Sequence, residues 1–142
     1  MTRGHLRAGL DIGGSKIFAA AVDPRGRVVE TLRLPTRTGP EGVVDAAAEA
    51  VDALAARVGG RQTLSGVGVG FPGLVDAVNG DAMHAVNLDI TSRLPLAAEL
   101  GERLGLPVAV ENDVNAAAVS LEAAADLLAG GSTVAAVPAA RS

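Results

Sequence analysis

The sequence predicts an α/β domain built on a mixed five-stranded sheet with helices on both faces. The chain opens with three strand-like segments, its apolar period becomes helical at Pro40, and helical and strand segments then alternate. With 142 residues, 49% of them apolar, it can bury about two thirds of its unfolded surface in one domain. We therefore expect residues 1–142 to form a single unit.

Turn residues and apolar spacing divide the first half of the chain into five elements. Gly13 and Gly14 predict a tight turn between two strands, and Pro24 with Gly26 predicts a second turn. After Pro40 the apolar residues recur at helical spacing. The predicted strands cover residues 6–10, 16–22, 27–34 and 64–71, and the predicted helix covers residues 40–58.

The second half alternates between strands and helices. Asn79 and Gly80 predict a hairpin turn within residues 74–85, and Gly105 ends a helical segment. The elements predicted after this hairpin are a helix over 95–104, a strand over 107–111, an alanine-rich helix over 114–128 and the start of a strand over 132–137.

Composition excludes several classes of function. The chain has no cysteine, which excludes disulfides, thiolate metal sites and cysteine nucleophiles. Its net charge of -4 and aromatic content of 1% offer neither a phosphate-neutralising surface nor base-stacking side chains, so we expect no nucleic-acid partner. We find no secretory signal and no apolar run of the ~18 residues that span a membrane. We therefore expect a cytoplasmic protein.

Two glycine-rich segments invite a nucleotide-binding interpretation. Residues 11–16 place a carboxylate, two glycines, a hydroxyl and a cation after a strand, which suits either a phosphate-binding hairpin or an ordinary turn. They fail as a P-loop because Ser15 precedes Lys16 and a strand follows. Residues 68–73 fit G-x-G-x-x-G, yet a hairpin follows them where a dinucleotide fold needs a helix.

A third polar segment, residues 111–115, passes from a strand into a predicted helix. An asparagine beside an aspartate at this position is suited to hold a hydroxyl group and accept its proton. The same residue types are also favoured helix caps. The residues alone leave both interpretations open.

Four segments together resemble the N-terminal half of the ROK family of sugar kinases and sugar-responsive repressors. These segments are residues 11–16, 66–75, 87–107 and 111–118. The resemblance implies the actin-like ATPase (ribonuclease H-like) fold and a glucokinase-like activity, in which ATP and Mg²⁺ serve the phosphorylation of a hexose hydroxyl.

The resemblance also implies roles for residues at the first turn. Asp11 would bind Mg²⁺ through water molecules. Gly13, Gly14, Ser15 and Lys16 would form the loop that binds the nucleotide phosphates. Family members more often carry threonine at the position of Ser15, a change that keeps the hydroxyl group.

Further roles concern the sugar. Gly73, Asn87 and Asn112 would line the sugar pocket. Asp113 would bind the sugar and act as the catalytic base that accepts the proton of the attacking hydroxyl.

The family's second phosphate loop, its adenosine site and its cysteine-rich zinc motif have no match in this sequence. We therefore expect an N-terminal lobe whose C-terminal lobe is absent, without a zinc site and inactive alone, as a truncated or frame-shifted kinase gene would produce. The expected partners are a sugar, a nucleotide, and either a second copy of the chain or the missing lobe. No membrane partner is expected.

Three alternative functions compete with the kinase. One is a sugar-sensing ROK transcriptional regulator, although such proteins carry a helix-turn-helix before the first strand, which begins here near Leu6. Another is a sugar-binding half-domain without catalysis. The third is a ribonuclease H-like nuclease with Asp11, Glu49 and Asp113 as its metal-binding carboxylates.

Overall fold

A five-stranded mixed sheet, a separate two-stranded hairpin and two α-helices form the computed structural model, which describes residues 4–112. The sheet has the strand order β3-β2-β1-β4-β7. Its strands are β1 (Leu6–Ile12), β2 (Lys16–Val22), β3 (Val28–Pro35), β4 (Leu64–Gly70) and β7 (Val108–Glu111). The hairpin consists of β5 (Leu74–Asp76) and β6 (Asp81–His84), and the helices are α1 (Pro40–Arg57) and α2 (Leu96–Leu104).

The sheet has an antiparallel half and a parallel half. β2 pairs antiparallel with β1 and β3, whereas β4 runs parallel to both β1 and β7. The carboxyl ends of the three parallel strands therefore meet at one edge, where ligands of open α/β sheets bind.

The core lies on one face of the sheet. Val67, Val69 and Phe71 face it at 0 to 1% exposure, while the glycines that alternate with them share the opposite face, as the sequence predicted. Helix α1 contacts β1, β2 and β3 and lies beside α2, which contacts β7. Both described helices therefore cover the core face.

Two loops fix the entry into α1. Gly39 precedes the helix with a φ of 84° and donates its amide hydrogen to the carbonyl of Leu88 at 2.7 Å. Pro40 then begins the helix, where its missing N–H costs no hydrogen bond. A left-handed backbone explains why glycine stands at position 39.

The predicted elements within residues 4–112 are present, with shifts of one or two residues at several ends. The largest correction is that β1 continues to Ile12, because Asp11 projects from the face opposite the core and does not interrupt the strand. Two 3-10 helices, Arg61–Thr63 and Val86–Leu88, were not predicted from the sequence. The helix predicted over 114–128 and the strand over 132–137 lie outside the described residues.

The hairpin connection also differs from the expectation. Asp76 pairs with Asp81, so residues 77–80 form a four-residue turn and not a two-residue Asn-Gly turn. Gly80 adopts a φ of 75° in it. In the described part of the chain, no helix is long and apolar enough to cross a bilayer.

We expect two threonines to respond oppositely to replacement by valine. The hydroxyl of Thr36 is buried without a hydrogen-bond partner within the described residues, whereas that of Thr63 donates to the carbonyl of Gly60 at 2.7 Å. Thr36→Val should therefore leave the free energy of unfolding unchanged or raise it, while Thr63→Val should lower it by about 1 kcal/mol. Urea denaturation measures both values, and equal losses would contradict the assignment of the unpaired hydroxyl.

Candidate functional site

The candidate site lies at the edge where β1, β4 and β7 end. Asp11 is the penultimate residue of β1, and its side chain is exposed on the face opposite the core. Gly73 and Asn112 follow the ends of β4 and β7. The parallel pairing therefore brings residues from three distant parts of the sequence to one edge.

Residues 13–15 form a short loop between β1 and β2, and Lys16 is the first residue of β2. The amide of Gly13 donates to the carbonyl of Lys16 at 2.8 Å, and the carbonyl of Ser15 accepts from the amide of Thr36 at 2.9 Å. Within residues 4–112 the amides of Gly14 and Ser15 donate to no protein acceptor. Gly14 and Ser15 therefore supply the amides that are free to meet an anion, whereas the amide of Gly13 is already used.

Neither Gly13 nor Gly14 has a left-handed φ, so backbone conformation does not explain glycine at these positions; at position 13 limited space does. A Cβ atom on Gly13 would lie 3.0 Å from the carbonyl oxygen of Lys16, which is tighter than usual. A Cβ atom on Gly14 would have only Asn87 nearby, its Cβ at 4.0 Å. Gly14 thus leaves room above the loop.

The 4.0 Å distance between a Cβ atom on Gly14 and the Cβ of Asn87 shows where Asn87 lies. It stands in the 3-10 helix Val86–Leu88, exposed and beside Gly14. The hydrogen bond from Gly39 to Leu88 anchors this helix to the start of α1. A residue expected at the sugar therefore lies directly next to the loop expected at the phosphates.

Gly73 and Asn112 form a second pair at this edge. The side-chain amide of Asn112 donates to the carbonyl of Gly73 at 3.4 Å, and the amide of Phe71 donates to the carbonyl of Glu111 at 2.7 Å. A Cβ atom on Gly73 would overlap the carbonyl oxygen of His84 and lie 2.9 Å from the Cβ of Ala85. Only glycine therefore lets the chain pass so close to the β5–β6 hairpin.

A carboxylate that the sequence analysis did not select lies in the same row as Asp11. Asp11 pairs with Gly70, and Gly70 pairs with Glu111. Paired residues of adjacent strands project to the same face, so the two carboxylates flank Gly70, about 10 Å apart between Cα atoms. Glu111 is adjacent to Asn112 in the sequence, but only the strand register assigns it to this face.

The carboxylate set of the nuclease alternative is not assembled. Glu49 lies on α1, which covers the core face, and it pairs with Arg37 at 2.6 Å. Asp11 projects from the opposite face. The nuclease interpretation is therefore wrong for Asp11 and Glu49, and its third member, Asp113, lies outside the described residues.

A polar cluster stabilises the hairpin that borders Gly73. Asp76 accepts hydrogen bonds from the side chain of Asn79 at 2.9 Å and from the amide of Val78 at 3.2 Å. Arg93 pairs with Asp76 at 3.4 Å and with Asp81. The hydrogen bond from Asn79 contributes most to a pKa of Asp76 below its ordinary value of 3.8.

The sequence profile of the ROK family matches residues 7–136. The chain belongs to the ROK family. Over 113 residues it is 45% identical to a glucokinase of Streptomyces coelicolor, and the match covers 80% of this chain and 34% of that protein. This ROK chain thus spans about a third of the length of the kinase it matches.

Solved structures agree with this assignment. A ROK family glucokinase from Streptomyces griseus, crystallised with glucose and AMPPNP, superposes with a TM-score of 0.68 at 43% identity over 80% of this chain and 35% of that chain. A ROK family transcriptional regulator, a homologue of the E. coli MLC protein, superposes with a TM-score of 0.67 at 21% identity, over 82% of this chain and 30% of that chain. The latter likeness concerns the fold alone. The predicted actin-like fold class is confirmed.

The structure places seven of the nine predicted site residues together, in two adjoining groups at one edge of the sheet. Those at the first loop and beside it are Gly13, Gly14, Ser15, Lys16 and Asn87, and the other two are Gly73 and Asn112. Asp11 lies in the strand that leads into the loop. Asp113 lies outside the described residues, so its role stays a prediction.

We expect Gly73→Ala to destabilise the protein and Gly14→Ala to leave it stable. The added methyl group at position 73 meets the backbone of β6, which should cost about 2 kcal/mol or more of unfolding free energy. At position 14 it meets only Asn87 at contact distance, and the lost chain entropy of glycine should change stability by less than about 1 kcal/mol. Urea denaturation of both variants tests this, and a stable Gly73→Ala protein would contradict the close approach.

We also expect the hairpin to lose stability in acid through Asp76. A carboxyl group whose pKa is lowered on folding stabilises the protein above its unfolded pKa, and this contribution is lost as the pH falls through the folded value. The stability difference between wild type and Asp76→Asn should therefore be largest near neutral pH and shrink as the pH falls through the lowered pKa of Asp76.

Urea midpoints of both proteins between about pH 7 and pH 2.5 measure this difference. Asn79→Ala serves as the matched variant, because it removes the largest cause of the lowered pKa and should flatten the pH dependence. A difference that does not change with pH would argue against the role of Asp76.

Proposed function

We propose that this chain forms one side of the active-site cleft of a hexose kinase, with glucose as acceptor and ATP as donor. This side would bind the sugar and contain the first phosphate-binding loop. The observation that carries the proposal is the proximity of Asn87 to Gly14, because it brings the side chain expected to bind sugar next to the loop expected to bind phosphate. Phosphoryl transfer depends mainly on holding donor and acceptor together, so this adjacency is what the reaction requires. The 45% identity to a glucokinase supports the choice of glucose.

On the donor side, the exposed loop offers amides and a cation. The free amides of Gly14 and Ser15 would donate to phosphate oxygens, while the Ser15 hydroxyl and the Lys16 ammonium group add polar contacts. The hydrogen bond between Ser15 and Thr36 holds the loop backbone in place before any ligand binds. This preorganisation reduces the cost of ordering the site on binding.

Asp11 fits a magnesium ion of the kind that phosphoryl transfer uses. Such ions keep most of their water molecules and contact the protein through one or two carboxylates together with the substrate phosphates. Asp11 is one exposed carboxylate at the edge of the loop, and residues 4–112 contain no cluster of three or more metal-binding side chains. When bound, Mg²⁺ would neutralise charge on the phosphates, and Asp11 would hold its water shell.

On the acceptor side, Gly73, Asn87 and Asn112 would contact sugar hydroxyls. The hydrogen bond of Asn112 to the carbonyl of Gly73 orients its side-chain amide at the end of β7. Asp113 follows it directly and, by the family resemblance, would accept the proton of the attacking hydroxyl. One side of the cleft contacts only part of the ATP molecule, so we propose that the 142-residue chain alone forms no sugar phosphate.

The test uses a hybrid protein that joins this chain to the remaining two thirds of the Streptomyces coelicolor glucokinase. Asp113→Asn in the hybrid should lower kcat by about 10²- to 10⁴-fold, because an amide hydrogen-bonds the sugar but does not accept its proton. Glucose affinity, measured by calorimetry, should stay within about threefold. A coupled assay with several hexoses gives kcat and identifies the preferred sugar.

Asn79→Ala is the matched control, since it removes a side chain from the hairpin, outside the proposed site. It should keep kcat near that of the unmodified hybrid. Full turnover by Asp113→Asn would remove Asp113 from the mechanism. A hybrid that folds and binds nucleotide but phosphorylates no hexose would overturn the proposed activity.

A further inference from the structure

Arg33 lies in the same cross-strand row as Asp11. Asp11 pairs with Phe18 on β2, and Phe18 pairs with Arg33 on β3. The guanidinium carbon of Arg33 stands 4.9 Å from the centre of the Phe18 ring. Stacking on an aromatic face restricts the guanidinium group while leaving its N–H groups available at the edge.

Lys16 lies on the same face, two residues before Phe18. It pairs with Pro35, which is two residues beyond Arg33, and side chains two residues apart in a strand project to one side. A lysine and an arginine thus stand near each other at the end of the sheet where the loop of residues 13–15 joins β1 to β2. Both side chains are exposed.

Most arginines in the described part of the chain have a carboxylate partner, whereas Lys16 and Arg33 have none. Neither Lys16 nor Arg33 forms an ion pair within residues 4–112. Arginines in this part of the chain that pair with carboxylates include Arg37, Arg57, Arg61, Arg93 and Arg103. Positive charge at the loop edge is therefore left for an anionic ligand.

We infer that Arg33, positioned by Phe18, is an additional phosphate-binding residue that acts with Lys16 on the oligophosphate chain of the donor. A guanidinium group matches two phosphate oxygens at once, whereas the lysine supplies a mobile point charge. The loop amides of Gly14 and Ser15 would bind one phosphate group, and the two cations would bind its neighbours. This assignment rests on the proposed function in taking a phosphate chain as the donor.

The test measures binding of inorganic tripolyphosphate to the full 142-residue chain by calorimetry, with circular dichroism as a check of folding. Arg33→Gln should weaken binding by roughly fivefold to tenfold, the loss expected for one charge-assisted contact. Phe18→Leu keeps an apolar side chain but removes the stacked ring, and it should give a smaller loss of about twofold to threefold.

Arg27→Gln is the matched control, because it removes the same charge at the far end of the β2–β3 ladder. Arg27 lies in the turn whose residues bond to Asp23. Its removal should leave tripolyphosphate affinity within about twofold, so a general effect of net charge is separated from a local one. Equal effects of the Arg27 and Arg33 substitutions, or no tripolyphosphate binding by the folded wild type, would overturn the inference.

A second measurement in the hybrid protein separates this inference from the proposed function. Arg33→Gln should raise the KM for ATP by roughly fivefold while the KM for glucose stays within about twofold. Hexose phosphorylation that is insensitive to Arg33→Gln would overturn only the assignment of Arg33. An inactive hybrid whose tripolyphosphate binding still depends on Arg33 would overturn only the kinase activity.

Discussion

The parallel pairing of β4 with both β1 and β7 is the constraint on which the candidate site depends. It brings Asp11, Gly70 and Glu111 into one row, although they are far apart in the sequence. A slip of one residue in β4 would turn Val67 and Val69 away from the core, where both are fully buried. Packing of the aliphatic core therefore fixes the register, and the register in turn fixes the site.

Main-chain hydrogen bonds also fix the positions of the loops relative to the sheet and to α1. The loop of residues 13–15 is tied to Thr36, just beyond β3, through the carbonyl of Ser15, and the segment around Asn87 is tied to Gly39 through the carbonyl of Leu88. Because the anchors are backbone atoms, the neighbouring side chains are free to contact ligands.

The sequence predicts the elements well because their signals are local. Alternating apolar residues, the change of period at Pro40 and the glycines that follow α1 each act over a few residues. The register is not local, so the sequence did not reveal that Glu111 shares a face with Asp11 or that Arg33 stacks on Phe18. Both features depend on which residues of separate strands lie opposite each other.

Prediction of the candidate site residues from the sequence is limited for the same reason, since their positions depend on contacts between distant segments. The motif around Asp11 was recognisable, yet its usual explanation, glycines needed for a left-handed turn, does not apply to Gly13 or Gly14. The placement of Asn87 beside Gly14 depends on a 3-10 helix, which no periodic pattern in the sequence predicts. Family resemblance supplied that residue, and the structure supplied the physical reason that it lies next to the loop.

In the proposed function, one face of the sheet stabilises the fold and the opposite face binds the ligand. The core face carries aliphatic side chains beneath α1 and α2, and paired arginines such as Arg37, Arg93 and Arg103 lie on helices and connecting loops. On the opposite face, Asp11, Phe18 and Arg33 form a cross-strand row near the end of the sheet, and Lys16 lies beside this row. Charges that stabilise the fold are thus already neutralised by partners. Lys16 and Arg33 form no ion pair within the described residues, so both charges remain available to an anionic ligand.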